Sequence, residues 1–211
     1  MSNAYQRLVS IADALATTGW YVGESIFDAT LTRALLARAR TLTEAGQLHA
    51  AKVGRTTLAR RSAAVRTDET RWLDDAPTDV AECAALEQVH ALRAVLNETL
   101  FVGAQDAELH FARYAPGAFY KTHLDRFRDD DVRVVSMVFY LNEAWPQDAG
   151  GELVLYASDA SDGSGAEQAR VIPSAGTMAC FLSDRFPHEV LPGARERFSL
   201  TGWMRRAPQR P

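Results

Sequence analysis

The chain has 211 residues, 47% of them apolar, which is enough for one buried core and too few for two full-sized domains. One domain over 1–211 is expected, with helical support over 1–104 and a β-rich core over 105–206. A net charge of −4 gives no overall attraction to polyphosphate, so nucleic acid is not an expected partner.

In chain order, Leu8, Ile11, Ala12 and Leu15 recur at helical spacing over 5–18, and Gly19 stands where a helix end wants it. W-Y-V-G-E-S-I-F then reads as extended. Asp28 is placed to cap a second helix, whose Leu31, Leu35, Leu36 and Leu42 precede a stop at Gly46. Residues 47–64 show no sustained period and predict a connection leading to a short strand over 65–73. Pro77 is expected to open a third helix, carrying Val80, Leu86, Val89, Leu92, Val95 and Leu96 to about Phe101.

Past residue 105 the texture changes to short β-rich runs: E-L-H-F-A-R-Y, F-Y-K-T-H-L, V-R-V-V-S-M-V-F-Y-L, G-E-L-V-L-Y, A-R-V-I-P, T-M-A-C-F-L and R-F-S-L-T-G-W-M. A polar loop, S-D-A-S-D-G-S-G-A-E-Q, breaks the series. The pattern predicts an α+β fold in which a sandwich or barrel of strands carries the helices on one face. Cys83 and Cys180, with neither a C-x-x-C partner nor zinc spacing, read as reduced core thiols. The absence of a charged leader and of any apolar run near 18 residues points to a cytoplasmic protein with no membrane partner. No pattern specifies an oligomeric state.

Side chains alternate along a strand, so His123 and Asp125 of K-T-H-L-D are expected on one face, where both reach one metal. With 27 acidic residues among 211, one such H-x-D is unremarkable by itself. The second piece is F-P-H-E-V-L-P-G-A-R-E-R-F-S-L-T-G-W. Pro192-Gly193 marks a turn, so the strand of His188 is expected to fold back beside a strand with Arg197, Ser199 and Thr201 on one face. Two His and one carboxylate leave adjacent metal positions open, as non-haem Fe(II) oxygenases require, whereas structural zinc wants a closed site. Two open positions suit a chelating 2-oxo acid and a third suits O₂. The planar fork of Arg197 fits the distal carboxylate of that acid.

The ordered runs Y-A-P-G-A-F-Y-K-T-H-L-D, V-F-Y-L-N-E-A-W, G-G-E-L-V-L-Y, F-L-S-D-R-F-P-H-E-V-L-P and R-F-S-L-T-G-W resemble the 2-oxoglutarate- and Fe(II)-dependent prolyl hydroxylases. The branch with the hypoxia-inducible-factor prolyl hydroxylases and their bacterial relatives is the most similar, over roughly 65–205. The resemblance implies a double-stranded β-helix, or jelly roll, with His123, Asp125 and His188 as iron ligands. It implies Arg197, Tyr140, Tyr114 and Thr201 around 2-oxoglutarate, and Arg133 and Trp203 flanking a substrate proline. Arg66 and Asp68 match a loop that closes over the peptide. Fe(II), 2-oxoglutarate and O₂ follow as cofactor and co-substrates, with ascorbate as reductant and a proline-bearing protein or peptide as partner. No catalytic residue beyond the iron centre is expected.

Two alternatives stand beside this reading: oxidation of a small molecule such as a free amino acid, and a non-catalytic metal-binding jelly roll. The related nucleic-acid repair enzymes carry a further Arg where this chain has Trp203, and halogenases leave open the position that Asp125 fills. His49, His90 and His110 read as ordinary surface or core imidazoles, and the acidic run 128–131 as a solvated turn.

Overall fold

The computed structural model describes residues 3–51, 62–125, 132–157 and 165–207. The acidic run 128–131 lies outside them, as do most of the 47–64 connection and most of the polar loop after Tyr156.

The described elements are, in order, α1 (Asn3–Thr17), β1 (Trp20–Glu24), α2 (Ala29–Glu44), β2 (His49–Ala50), β3 (Glu69–Trp72), α3 (Val80–Leu100), β4 (Asp106–Tyr114), β5 (Tyr120–His123), β6 (Arg133–Tyr140), β7 (Leu153–Tyr156), β8 (Glu167–Val171), β9 (Thr177–Leu182), β10 (His188–Val190) and β11 (Arg197–Arg205). Asp28 caps α2 as expected, its Oδ1 accepting from the Leu31 amide at 2.7 Å. α3 starts later than Pro77 suggested. Asp79 takes the capping role instead, because its carboxylate accepts from the amides of Ala81 and Glu82, which a proline start cannot supply. His49, within the expected 47–64 connection, lies on β2, paired with Thr70.

Two antiparallel sheets face each other. The larger has the order β1-β9-β6-β11-β4-β3-β2 and the smaller β5-β10-β7-β8. This is the double-stranded β-helix, an α+β architecture with all three helices on the outer face of the larger sheet. Strand alternation divides the apolar residues between two cores. Leu109, Phe111, Val135, Met137, Phe139, Leu200 and Met204 face outward and pack with Ile11 and Leu15 of α1 and Val89, Leu92 and Leu96 of α3. Their neighbours of opposite parity, Ala112, Tyr114, Val138 and Tyr140, turn inward to Leu153, Leu155, Val190 and Phe186. Burying both faces explains why β6 reads as an almost unbroken apolar run.

Two expectations need correction. β10 and β11 were expected to lie side by side, but β10 pairs with β5 and β7, whereas β11 pairs with β4 and β6. The chain crosses between the sheets at Pro192-Gly193, so His188 and Arg197 face each other across the interior. Cys180 is a buried thiol as expected, but Cys83 is exposed on α3. Helical periodicity fails to distinguish the core stripe from its edge at that position.

The inner wall also holds His110 of β4, 3% exposed, clustered with the rings of Trp72 and Trp203 at centroid distances of 4.7 and 5.4 Å. Burial, with Arg66 and Arg133 nearby, pushes its pKa down to about 3, and burial with the neighbouring His123 takes His188 to about 4. An imidazole held neutral in the fold is protonated first in the unfolded chain, near pH 6.5. Its stabilising contribution is therefore intact above pH 6.5 and declines as pH falls towards the folded value. Asp125, depressed rather than raised, adds nothing to this slope until the pH nears 4. Metal-free protein is expected to lose about 2 kcal/mol per buried imidazole between pH 6.5 and 5. Chemical denaturation at the two pH values should show this loss, with a shallower slope in His110→Gln; an unchanged slope in that variant contradicts the assignment.

Candidate metal centre

His123 ends β5 and His188 begins β10, and the two are register partners in the smaller sheet. Pairing alone thus brings their rings to 4.2 Å between centroids. Asp125 is not on the strand as expected: β5 stops at His123, and the carboxylate reaches the same point from the bend that follows. Its Oδ1 is 3.6 Å from His123 Nε2, and its Oδ2 is 3.5 Å from His188 Nε2. One donor atom from each residue lies within 4.8 Å of the others.

The backbone fixes the tautomers. His123 Nδ1 lies 2.8 Å from the Lys121 carbonyl, and His188 Nδ1 lies 3.0 Å from that of Phe186. A carbonyl only accepts, so each Nδ1 carries the proton and each Nε2 presents its lone pair inward. Burial alone would raise the Asp125 pKa, but the attraction of His188 and His123 in their protonated forms, with Arg133 nearby, holds it well below the usual carboxylate range. Two neutral imidazoles and one carboxylate on one side of a point fit a 2-His-1-carboxylate Fe(II) centre.

The centre opens into a cavity of about 540 Å³ whose lining includes Tyr114, Tyr140, Arg197, Thr201, Arg133 and Trp203. Arg197 starts β11 opposite Tyr114 and is 3% exposed. Its position is set by its neighbours. Asn142 accepts from the Phe198 amide at 2.6 Å and donates to the Phe198 carbonyl at 3.0 Å, while Arg197 Nη1 donates to the Gly151 carbonyl at 2.8 Å. Gly150 makes that turn possible: its φ is +68°, and a Cβ there would stand 2.5 Å from the Pro192 carbonyl. The guanidinium lies 4.2 Å from the centroid of the Tyr114 ring and 5.5 Å from that of Tyr140. Arg197 Nε and the Tyr140 hydroxyl are both buried without a hydrogen-bond partner. Burial pushes the Tyr140 pKa up to about 12, so it remains a donor. A buried guanidinium edge beside a buried phenol, across the cavity from the metal ligands, fits a carboxylate-bearing chelator. Thr201 lines the same cavity, its Oγ1 3.1 Å from Ser199 Oγ.

At the other end of the cavity Arg133 lies flat on Trp203, 3.5 Å above its ring, and bonds to Glu108. Arg66 and Asp68 form a two-point ion pair, and the Arg66 guanidinium also covers Tyr120, whose ring stacks on His123 at 3.5 Å. The segment carrying them is tied to β5 through Thr67 N to Phe119 O and Lys121 N to Val65 O.

Sequence reasoning missed His110, Trp72, Tyr120, Asn142 and Ser136. Three of them had a signal. His110 shares the inward parity of Ala112 and Tyr114, Ser136 that of Val138 and Tyr140, and Tyr120 lies three places before His123.

The family model of the 2OG-Fe(II) oxygenase superfamily matches residues 109–205. A hypoxia-inducible factor prolyl hydroxylase of Caenorhabditis elegans is 35% identical over 89 residues, 41% of this chain and 12% of that protein's length. A crystal structure of a Pseudomonas putida prolyl-4-hydroxylase is 44% identical, with a TM-score of 0.83, covering 95% of this chain and 99% of that one. A Trichoplax adhaerens prolyl hydroxylase, solved with a peptide fragment of the hypoxia inducible factor oxygen degradation domain, shares the fold at 23% identity and a TM-score of 0.82, covering 96% of this chain and 90% of that one. The ligand set, the buried arginine across from it and these matches together make the chain a member of the 2-oxoglutarate- and Fe(II)-dependent oxygenase superfamily, in its prolyl hydroxylase branch.

Proposed function

We propose that the chain is a 2-oxoglutarate- and Fe(II)-dependent dioxygenase that hydroxylates a prolyl residue in a protein or peptide. The observation that carries this is the pairing of a His-Asp-His donor set with a buried Arg197 and Tyr140, both with unsatisfied polar atoms, in one cavity. His123, Asp125 and His188 would hold Fe(II), and Arg197, with Tyr140, Tyr114 and Thr201, would hold 2-oxoglutarate. Bound there, the metal and co-substrate supply the oxidation of an unactivated C–H bond by O₂, coupled to decarboxylation of 2-oxoglutarate to succinate.

The protein's own part is placement and exclusion of water. Arg197 and the tyrosines fix the co-substrate from its far end. Trp203 and Arg133, packed on each other in the cavity lining, form a wall against which a pyrrolidine ring would lie, and Trp72, 46% exposed, extends that wall. An open mouth with an exposed indole favours a chain over a free amino acid. The prolyl hydroxylase with 44% identity over nearly the whole length supports the same substrate class, and it supports treating 1–211 as one oxygenase domain. No helix among the described residues is long and apolar enough to cross a membrane. We place the activity in the cytoplasm, where the exposed Cys83 thiol and Fe(II) both stay reduced, with ascorbate as auxiliary reductant.

Proline-containing peptides incubated with the protein, Fe(II), 2-oxoglutarate and O₂ are expected to gain one oxygen atom on proline, read by tandem mass spectrometry. Arg197→Ala should raise the 2-oxoglutarate KM about 30-fold or more, because a charged pair in a buried site is truncated. Trp203→Ala should instead raise the peptide KM. Oxygen incorporated only into free amino acids would overturn the peptide reading.

A further inference from the structure

Asp125 is the one iron ligand that no strand holds, since β5 ends two residues earlier. What holds its carboxylate lies on the opposite sheet. Ser136 Oγ, on the inner face of β6, donates to Asp125 Oδ2 at 2.7 Å, and Ser183 Oγ, just past β9, lies 2.9 Å from Ser136 Oγ. The direction of this chain follows from chemistry. A carboxylate accepts and cannot donate, so the Ser136 proton is committed to Asp125, and the second bond must carry the Ser183 proton to Ser136. Both serines are buried, at 2% and 0% exposure, and the Ser183 amide is itself bonded to the Val134 carbonyl at 3.2 Å. Hydroxyls so buried have few alternative partners, which holds the relay in place.

We propose that Ser136, oriented by Ser183, is the positioning residue of the metal centre: it sets the rotation of the Asp125 carboxylate and so ties a ligand beside the smaller sheet to the larger one. Without the hydroxyl, the carboxylate turns about its own axis, and the two histidines, fixed by sheet pairing, lose their third donor in the right attitude. A hydrogen-bonding partner behind a metal ligand is worth about ten- to a hundredfold in metal affinity. The inference rests on the oxygenase reading of the same site.

The test is anaerobic equilibrium binding of Fe(II) to the full chain and its variants. Ser136→Ala is expected to bind about 10- to 100-fold more weakly, and Ser136→Thr, which keeps the hydroxyl, to recover most of the loss. Ser183→Ala should fall between, and Ser183→Ala combined with Ser136→Ala should match Ser136→Ala alone to within about twofold, because Ser183 acts only through Ser136. Co(II) bound in place of Fe(II) gives a second readout: its visible absorption should change in Ser136→Ala and return in Ser136→Thr. Loss of packing alone would lower thermal stability without moving that spectrum. Unchanged affinity in Ser136→Ala, no rescue by threonine, an unmoved Co(II) spectrum or additive losses in the double variant would each overturn the relay. If the well-folded wild type binds no Fe(II), the oxygenase reading fails and the relay falls with it.

Discussion

A guanidinium buried in a wall of tyrosines is the constraint around which the interior is arranged. Arg197 is 3% exposed, and among the described residues no carboxylate pairs with it. Taking a cation out of water costs several kcal/mol unless a counter-charge meets it. One carbonyl from Gly151 and two aromatic faces offset part of that cost and leave one edge of the guanidinium unanswered. Asn142 bracing Phe198 and the glycine turn at 150–151 serve to keep the group there. The site is thus prepared for an anion before one arrives, which lowers the cost of ordering it on binding.

The His-Asp-His donor set is built the opposite way, from pairing and backbone contacts. Register places His123 opposite His188, and the backbone carbonyls two residues earlier in each segment fix both rings. The Asp125 carboxylate is held from the facing sheet by Ser136. A centre assembled from both layers depends on their spacing, and the helices matter through that dependence: α1 and α3 pack against the outer face of the larger sheet.

Much of this is legible in the sequence, and the reasons for what is not are specific. Strand alternation groups Arg197, Ser199 and Thr201 on one face, the family resemblance adds Tyr114 and Tyr140, and Asp28 with the stop at Gly46 bounds α2 correctly. Pairing partners are harder, because a turn such as Pro192-Gly193 reads identically whether the chain makes a hairpin or crosses to the facing sheet; hence the misplaced neighbour for β10. Asp125 leaves its strand because two-residue parity continues through a bend on paper but not in space. Ser136 hides in V-S-M-V-F-Y, where a single hydroxyl in an apolar strand reads as filler until the residue across from it is known. Arg66 and Asp68, which the resemblance assigns to a loop closing over a peptide, are committed to each other and, through Tyr120, to the ring of His123.

The central claim is that the His-Asp-His set and Arg197 form one site for Fe(II) and 2-oxoglutarate together. Anaerobic titration of the metal-free protein with both tests it most directly, by the weak visible charge-transfer band of chelated Fe(II). A shared site gives a band that needs both components and that disappears in Arg197→Ala while Fe(II) itself still binds. A well-folded protein that shows no band with both present, or an Arg197→Ala variant that shows it undiminished, would contradict the account.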